Sequence, residues 1–454
     1  QAPLRVIMGN PPYSIGQKSA NDNAQNQTYP KLDSKISATY AKASSAGLNK
    51  SLYDAYIKAF RWSTDRLDPK NGGVIAFITN SGWLDGNGAD GFRKTLEQEF
   101  SSIYVINLRG SVRGRQGDAA KREGQNVFDI MTGVAITLLV KKPNEAKKST
   151  IRYHDIGNYL SRKEKISQLN TFKDIGSNLI NWVTISPNNE GDWLNQRNSE
   201  FENFFPMDPL KKFDLKTKSV FKTYAIGIAS NRDSWVYNFS KNEIKNNMKK
   251  FINFYNEQVR LYKDAKLKSN NIKVEDFIDS DYTKISWTRG LRKDVERGRT
   301  HTYDDTNITK GLYRPFCKIN LYFDRPLIES PGIFNQLFPH VGCTNLIITL
   351  PGLGERRGFA TFISNSICDL NMYDGGSQCF PLYYYEENKV QQKGLFDGDD
   401  SQKYVRRDAI SDFILERAKQ QYGKTVTKED IFYYVYGFLH SKEYRETFAN
   451  DLKK

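Results

Sequence analysis

The sequence has few of the residues that bind metals or form disulfides. It contains four cysteines and four histidines in 454 residues. The cysteines show no paired CxxC spacing, and the histidines are scattered along the chain. We therefore predict free thiols in a reducing cytoplasm and no metal site. The four cysteines are Cys317, Cys343, Cys368 and Cys379.

Long apolar runs are also missing. No stretch approaches the ~20 apolar residues that a membrane-spanning helix needs, and the N-terminus has no basic region followed by an apolar one. We expect neither a membrane span nor a secretion signal. Hydrophobic residues still make up 38% of the chain and aromatic residues 13%. This composition supports packed cores and argues against disorder, and the length predicts two or three domains.

Acidic residues are outnumbered by basic ones. The chain has 67 lysines and arginines against 52 aspartates and glutamates, a net charge of +15. An excess of this size favours a polyanionic partner such as nucleic acid. A solvated basic surface is the alternative explanation.

Strand and helix patterns alternate over the first part of the chain, which predicts an open α/β sheet. The predicted strands are Arg5–Gly9, 72–79, 103–108 and 133–142, and the predicted helices are 50–67 and 92–100. We predict a polar loop over 14–49 and a basic loop over 109–125. The later chain mixes short strands with helices over 243–265, 411–422, 427–440 and 442–453. We therefore divide the chain into a first domain, 1–165, a connector, 166–200, and an α+β domain, 201–454.

The stretch "VIMGNPPYSIG", residues 6–16, places an amide, two prolines and a tyrosine directly after a strand. Ligands of open α/β sheets bind at the carboxyl ends of strands. The prolines stiffen the turn and leave its carbonyls free. The Asn10 side-chain oxygen and the Pro11 carbonyl could then accept both N–H bonds of one amino group, and Tyr13 could offer a flat face to its ring. A proline-rich turn without function is the alternative.

Asn10-Pro11-Pro12-Tyr13 resembles motif IV of the adenine-specific DNA methyltransferases. The resemblance implies methyl transfer from S-adenosyl-L-methionine to the exocyclic nitrogen of an adenine flipped out of the duplex. Asn10 and Pro11 would hold the amine, Pro12 would keep the loop rigid, and Tyr13 would stack on the adenine. The same motif occurs in methyltransferases that act on RNA or on protein glutamine.

A wider resemblance covers most of the chain. "GGVIAFITNSGWLDG" (72–86) and "GQNVFDIMTGVAITLLVKK" (124–142) are similar to the methyltransferase part of single-polypeptide restriction–modification enzymes of the Type ISP and Type IIG kinds. "YRPFCKINLYFDR" (313–325) and "YYVYGFLHSKEYRETF" (433–448) resemble their target-recognition region. The resemblance implies the catalytic half of a Rossmann-like methyltransferase sheet, followed by an α+β domain that recognises double-stranded DNA.

One departure from the family concerns the cofactor. The family's S-adenosyl-L-methionine loop, with a Phe-x-Gly-x-Gly pattern, belongs upstream of motif IV, and nine residues precede Asn10 here. We expect the main cofactor-binding motif outside this chain, together with any nuclease and translocase parts of a parent polypeptide.

Further candidates come from basic and aromatic residues. The resemblance places Phe128 against the flipped base, opposite Tyr13. The basic loop could contact phosphates through Arg109, Arg113, Arg115, Lys121 and Arg122. In the second domain, side chains that could contact bases or phosphates are Asn231, Arg232, Arg289, Arg292, Arg356 and Arg357.

Two other classes of function stay open. Without its cofactor half, the chain could be a non-catalytic DNA-binding specificity module. It could also belong to an RNA or protein-glutamine methyltransferase, although the large basic second half disfavours a protein substrate.

Overall fold

The computed structural model divides the chain into two compact units, Gln1–Asn198 and Ser199–Lys453. The structure describes residues 4–12, 28–46, 50–113, 115, 117–143, 149–209, 212–213, 218–269, 271–340, 342–352, 355, 357–388 and 403–453. Of the helices in these ranges, none is long and apolar enough to cross a membrane.

A mixed sheet forms the centre of the first unit. Within the described residues, its six strands lie in the order β1-β2-β4-β3-β5-β6. β1 pairs parallel with β2, and β3 with β5, whereas β4 is antiparallel to both of its neighbours. The strands are β1 (Val6–Gly9), β2 (Gly73–Asn80), β3 (Ser102–Asn107), β4 (Val134–Lys141), β5 (Thr150–Asp155) and β6 (Val183–Ile185).

Helices cover this sheet and confirm the predicted α/β class. They are α1 (Pro30–Ile36), α2 (Ala55–Arg66), α3 (Asp90–Glu99), α4 (Gly117–Glu123) and α5 (Arg162–Phe172). A core of buried rings joins helices and sheet: Phe60 packs edge-on against Phe77 at 5.1 Å between ring centroids and against Trp83 at 6.1 Å. Apolar residues at helical spacing on α2 produce this face.

Helical structure occupies part of the segment that we predicted as a polar loop, 14–49. α1 continues into a π-helical turn over Ser37–Ala41. Ile36 and Tyr40 are fully buried, and the Tyr40 ring lies 4.9 Å from that of Phe92. Few apolar residues mark this segment, but these two are four residues apart and share one helix face.

The structure also differs from the prediction of a connector over 166–200, because residues 166–198 belong to the first unit. β5 and β6 extend the sheet. Beyond them, the buried Trp193 ring packs 5.4 Å from that of Trp83, and its Nε1 donates a hydrogen bond to Glu97 at 2.7 Å. These contacts join residues distant in sequence, which local pattern does not reveal.

Three small sheets lie in the described part of the second unit, in the orders β13-β9-β10-β8, β12-β11-β14-β7 and β15-β16. Their strands are β7 (Ala225–Ile226), β8 (Tyr237–Asn238), β9 (Ile308–Arg314), β10 (Cys317–Tyr322), β11 (Ile347–Pro351), β12 (Phe362–Ser364), β13 (Ile367–Cys368), β14 (Ser377–Pro381), β15 (Tyr383–Glu387) and β16 (Tyr404–Asp408).

Helices pack on these sheets and confirm the predicted α+β class. They are α6 (Asp233–Val236), α7 (Lys241–Lys268), α8 (Val274–Phe277), α9 (Arg289–Glu296), α10 (Phe334–Leu337), α11 (Asp412–Tyr422), α12 (Lys428–Leu439) and α13 (Lys442–Thr447). The buried stripe of α7, with Met248, Phe251 and Tyr255, lies in one core with β10 residues. Thr427 and Asp430 form a capping box at the start of α12.

Candidate functional site

One edge of the first sheet collects the loops that carry the candidate residues. Because β1, β2, β3 and β5 run in the same direction, their carboxyl ends meet there, and β4 begins at the same edge. The residues that follow these strands are Asn10, Ser81, Leu108 and Ile156. This is the edge at which α/β sheets place their ligands.

The proline-rich loop leaves β1 at this edge. Asn10 and Pro12 are exposed, Pro11 is half-buried, and Tyr13 lies outside the described residues. Gly9, the last residue of β1, pairs with Phe77 of the neighbouring strand. β1 is also the outer strand of the described sheet, with Val6 62% and Met8 73% exposed.

The loop after β3 is fixed by an ion pair across the sheet edge. Arg109 has a positive φ of 55° and forms two hydrogen bonds to the Asp155 carboxylate, at 2.6 and 2.9 Å. Burial acts to raise the pKa of Asp155, but hydrogen bonds from Arg109 and from the Gly157 N–H outweigh it and hold the pKa below its ordinary value. Arg109, a predicted phosphate contact, is therefore already paired.

A buried lysine ties this loop together. The Lys165 ammonium, on α5, donates to three backbone carbonyls, those of Leu108 (2.8 Å), Glu123 (3.0 Å) and Gln125 (2.8 Å). Its side chain is fully buried, and burial lowers its pKa. Both ends of the segment 108–125 are thus held by one cation.

The Asn126 side chain fixes the backbone around Phe128. Its Nδ2 donates to the carbonyls of Thr132 (2.7 Å) and Gly110 (3.2 Å), and its Oδ1 accepts from the Phe128 N–H at 2.8 Å. The Phe128 side chain is 41% exposed, so this predicted base-stacking residue is not part of the core. A phenylalanine held on a fixed backbone and partly open to solvent can receive a flat ligand.

The other basic residues of the segment separate into two kinds. Arg115 pairs with the buried Glu123, whose second oxygen accepts from the Ser111 N–H, and Arg122 pairs with Asp118 one helical turn away. Arg113 and Lys121 are exposed, which leaves their charges available to an anionic ligand.

In the second unit, the structure corrects one candidate. Arg232 is 2% exposed, and its guanidinium donates to the Leu327 carbonyl and to the Thr288 hydroxyl while it lies 5.5 Å from the Phe251 ring. Burial lowers its pKa to about 10. Arg232 thus stabilises the core of this unit and cannot contact DNA; the sequence showed its charge but not its burial.

The remaining candidates of this unit lie at or near its surface. Asn231 and Arg289 are exposed, and Arg292 is half-buried on α9. The Arg357 side chain is 77% exposed and lies 3.4 Å from the Asp374 carboxylate. Arg356 lies outside the described residues.

Sequence reasoning missed Lys165, Asn126, Glu123 and Asp155, which position the loops at this edge. A signal for Lys165 exists in the periodicity of α5: Leu169 and Phe172 follow it at helical spacing and pack on the core. A lysine on such a face is buried and needs acceptors. For the other three, only the folded structure shows the partners.

Together, the fold and the edge loops define an α/β unit of the methylase type joined to a mixed specificity unit. Residues 5–113 match the family described as the Eco57I restriction-modification methylase, and residues 219–454 match the Type ISP C-terminal specificity domain. The chain belongs to the Type ISP restriction-modification family and comprises a methylase portion followed by the specificity domain.

Solved structures agree with this assignment. The ATP-dependent Type ISP restriction-modification enzyme LlaBIII bound to DNA matches all of this chain at 36% identity and a TM-score of 0.76, over 28% of its own length. A nuclease-deletion mutant of the Type ISP enzyme LlaGI with a DNA substrate mimic matches at 36% and 0.73, over 39% of its length. The DrdV–DNA complex matches at 33% and 0.73, over 42%. Comparison with curated protein sequences gives no match.

Proposed function

We propose that this chain carries the amine-holding loop and the target-recognition domain of a site-specific DNA adenine-N6 methyltransferase in a restriction–modification enzyme. The observation that carries the proposal is the place of Asn10-Pro11-Pro12 directly after β1, at the ligand-binding edge of a methylase-type sheet. The chain spans less than half the length of the three solved relatives described above.

The chemistry follows from the loop. The Asn10 side-chain oxygen and the Pro11 carbonyl would accept the two N–H bonds of the adenine amine. When the amine is held in this way, its nitrogen lone pair would be turned out of conjugation with the ring and towards the methyl donor. The amine nitrogen would take the methyl group in exchange for one of its protons, which would leave to solvent. Phe128 and Tyr13 would face the flipped base.

S-adenosyl-L-methionine would supply the methyl group when bound. The described residues of this chain fit the acceptor side of that reaction, since the Asn10 loop lies at the sheet edge. On the donor side, β1 is the outer strand of the described sheet, and the backbone groups along its outer edge can pair with a further strand. We therefore place the main cofactor-binding loop outside this chain.

Double-stranded DNA is the partner that we propose. The solved relatives are DNA complexes, and this chain has a net charge of +15. Arg113, Lys121, Arg289 and Arg357 are the surface cations that remain as candidate phosphate or base contacts. An enzyme acting on DNA in this way would work in the cytoplasm, together with the upstream parts of its polypeptide.

Substitution of Asn10 tests the proposal. In the full-length polypeptide, Asn10→Ala should abolish transfer of labelled methyl groups to duplex DNA while DNA binding is retained, because the variant loses one of the two amine acceptors. Asn170→Ala, on the exposed face of α5, is the matched control and should transfer at the wild-type rate. Wild-type transfer by Asn10→Ala would exclude Asn10 as the amine holder.

The alternative of a non-catalytic specificity module has its own support, since the specificity-domain match covers residues 219–454. Under that alternative, the full-length polypeptide binds duplex DNA but transfers no methyl group, with or without Asn10. Labelled RNA or protein glutamine in the same assay would indicate a different methyl acceptor.

A further inference from the structure

The tip of the hairpin between β9 and β10 carries an unusual phenylalanine. The two strands are antiparallel, Arg314 pairs with Cys317, and the turn between them is Pro315-Phe316. The Phe316 side chain is 90% exposed. A large apolar ring at this exposure gains almost nothing from burial in the fold.

The backbone of Phe316 is also unfavourable. Its φ is 60°, in the left-handed region where glycine or asparagine is normally found. Turns of this kind take glycine at low cost, so a phenylalanine here lowers the stability of the hairpin. A strained residue that does not support the core suggests a functional requirement.

The ring is supported from one side. Phe316 packs edge-on against Phe362 of β12, with ring centroids 5.0 Å apart and an interplanar angle of 88°. Phe362 in turn stacks on Tyr373 at 6.1 Å and 23°. Tyr373 is buried, and its hydroxyl donates to the Thr349 carbonyl at 3.1 Å. Phe316 at the exposed tip is thus packed against Phe362, which itself packs on the buried Tyr373.

Cationic side chains lie beside the tip. Arg314 and Lys318 flank the turn on the two strands; Lys318 is exposed and contacts the Asn365 side chain, and Arg314 pairs with Asp369. Arg357, five residues before Phe362 in the sequence, is exposed and lies 3.4 Å from the Asp374 carboxylate. An apolar tip with basic neighbours matches duplex DNA, where bases stack inside two rows of phosphates.

We propose that Phe316 is a wedge that inserts between stacked base pairs of duplex DNA. This inference rests on the proposed function, since it takes DNA to be the partner. Insertion of an apolar side chain opens a base step and kinks the duplex. Opening a step assists an enzyme that must extrude a base. Phe316 thus positions the DNA and does not touch the reacting amine.

A short duplex that the wild-type chain binds is first selected from a random library. The fluorescent base 2-aminopurine is then placed at each position of this duplex in turn, and binding of wild type and Phe316→Gly is compared. Wild type should raise the fluorescence at one step, because that base unstacks. Phe316→Gly should lose this signal and bind about tenfold more weakly, the size of one lost base–aromatic contact. An abasic nucleotide at that step should restore its binding. Tyr282→Ala, which removes another ring 84% exposed, should behave as wild type.

Thermal unfolding separates the wedge from a packing role. Phe316→Gly should unfold at the same or a higher temperature, because glycine adopts a positive φ without strain. A clear loss of stability would overturn the proposal by assigning the ring to packing. If Phe316→Gly gives the full fluorescence change and binds with wild-type affinity, the wedge role of Phe316 is wrong, while DNA as the partner still stands. Failure of the wild-type chain to bind any duplex would overturn the proposed DNA partner as well.

Discussion

The buried ammonium of Lys165 holds both ends of the segment 108–125. From its charge alone, this lysine would be expected at the surface. Lys165→Met removes the donor to three carbonyls and keeps most of the side-chain volume. We expect a loss of stability of about 1–3 kcal/mol for each buried acceptor that finds no new donor. Urea unfolding measures it, with the exposed neighbour Lys163→Met as control. Equal stability of the two variants would contradict the role that we assign to Lys165.

The pair Arg109–Asp155 makes a second residue-scale prediction, one of pH dependence. The folded pKa of Asp155 lies below its unfolded value, so the pair contributes its full stability above the ordinary carboxyl range. This contribution is lost as the pH falls through the lowered pKa. Asp155→Asn should therefore be less stable than wild type at neutral pH, and the difference should shrink in acid. Unfolding midpoints over a pH series test this; a constant difference would refute it.

At the scale of elements, the sequence predicted strands β1 to β4 and the long helices α2, α3 and α7 close to their observed bounds, because their apolar residues repeat at strand or helix spacing. It did not predict that β4 inserts antiparallel between β2 and β3, since pairing order depends on distant contacts. The sequence did not predict α1, because few apolar residues mark its buried face. At the candidate site, the roles of Asn10 and Phe128 stay predictions from the sequence, and the structure adds what the sequence did not predict: Arg109 is paired with Asp155 and Arg232 is buried.

Trp193 tests whether the segment after β6 is an integral part of the first unit. Its buried indole packs on Trp83 and hydrogen-bonds Glu97. Trp193→Ala should reduce the free energy of unfolding of the first unit by about 3–5 kcal/mol, the usual effect of removing a buried aromatic. Trp62→Ala, at a ring 48% exposed, is the control and should have a small effect. Similar small effects for both would contradict the assignment of the segment after β6 to the first unit and favour the predicted connector, 166–200.

For the whole molecule, the charge of +15 predicts how DNA binding responds to salt. Each neutralised phosphate releases counterions, so the logarithm of the association constant should fall linearly and steeply with the logarithm of salt concentration. Fluorescence anisotropy with a labelled duplex at several salt concentrations measures the slope. Replacement of Arg113 and Lys121 by glutamine should reduce the slope if they contact phosphates. A flat response of the wild-type chain would remove nucleic acid as the partner.

The proposed role of the Asn10 loop depends on which atom of the DNA receives the methyl group. The most direct measurement is mass spectrometry of nucleosides from duplex DNA incubated with the full-length polypeptide and S-adenosyl-L-methionine, for wild type and Asn10→Ala. We predict N6-methyl-2′-deoxyadenosine with wild type and none with Asn10→Ala. Methylated cytosine, or the same yield of methyladenine from the variant, would contradict the account.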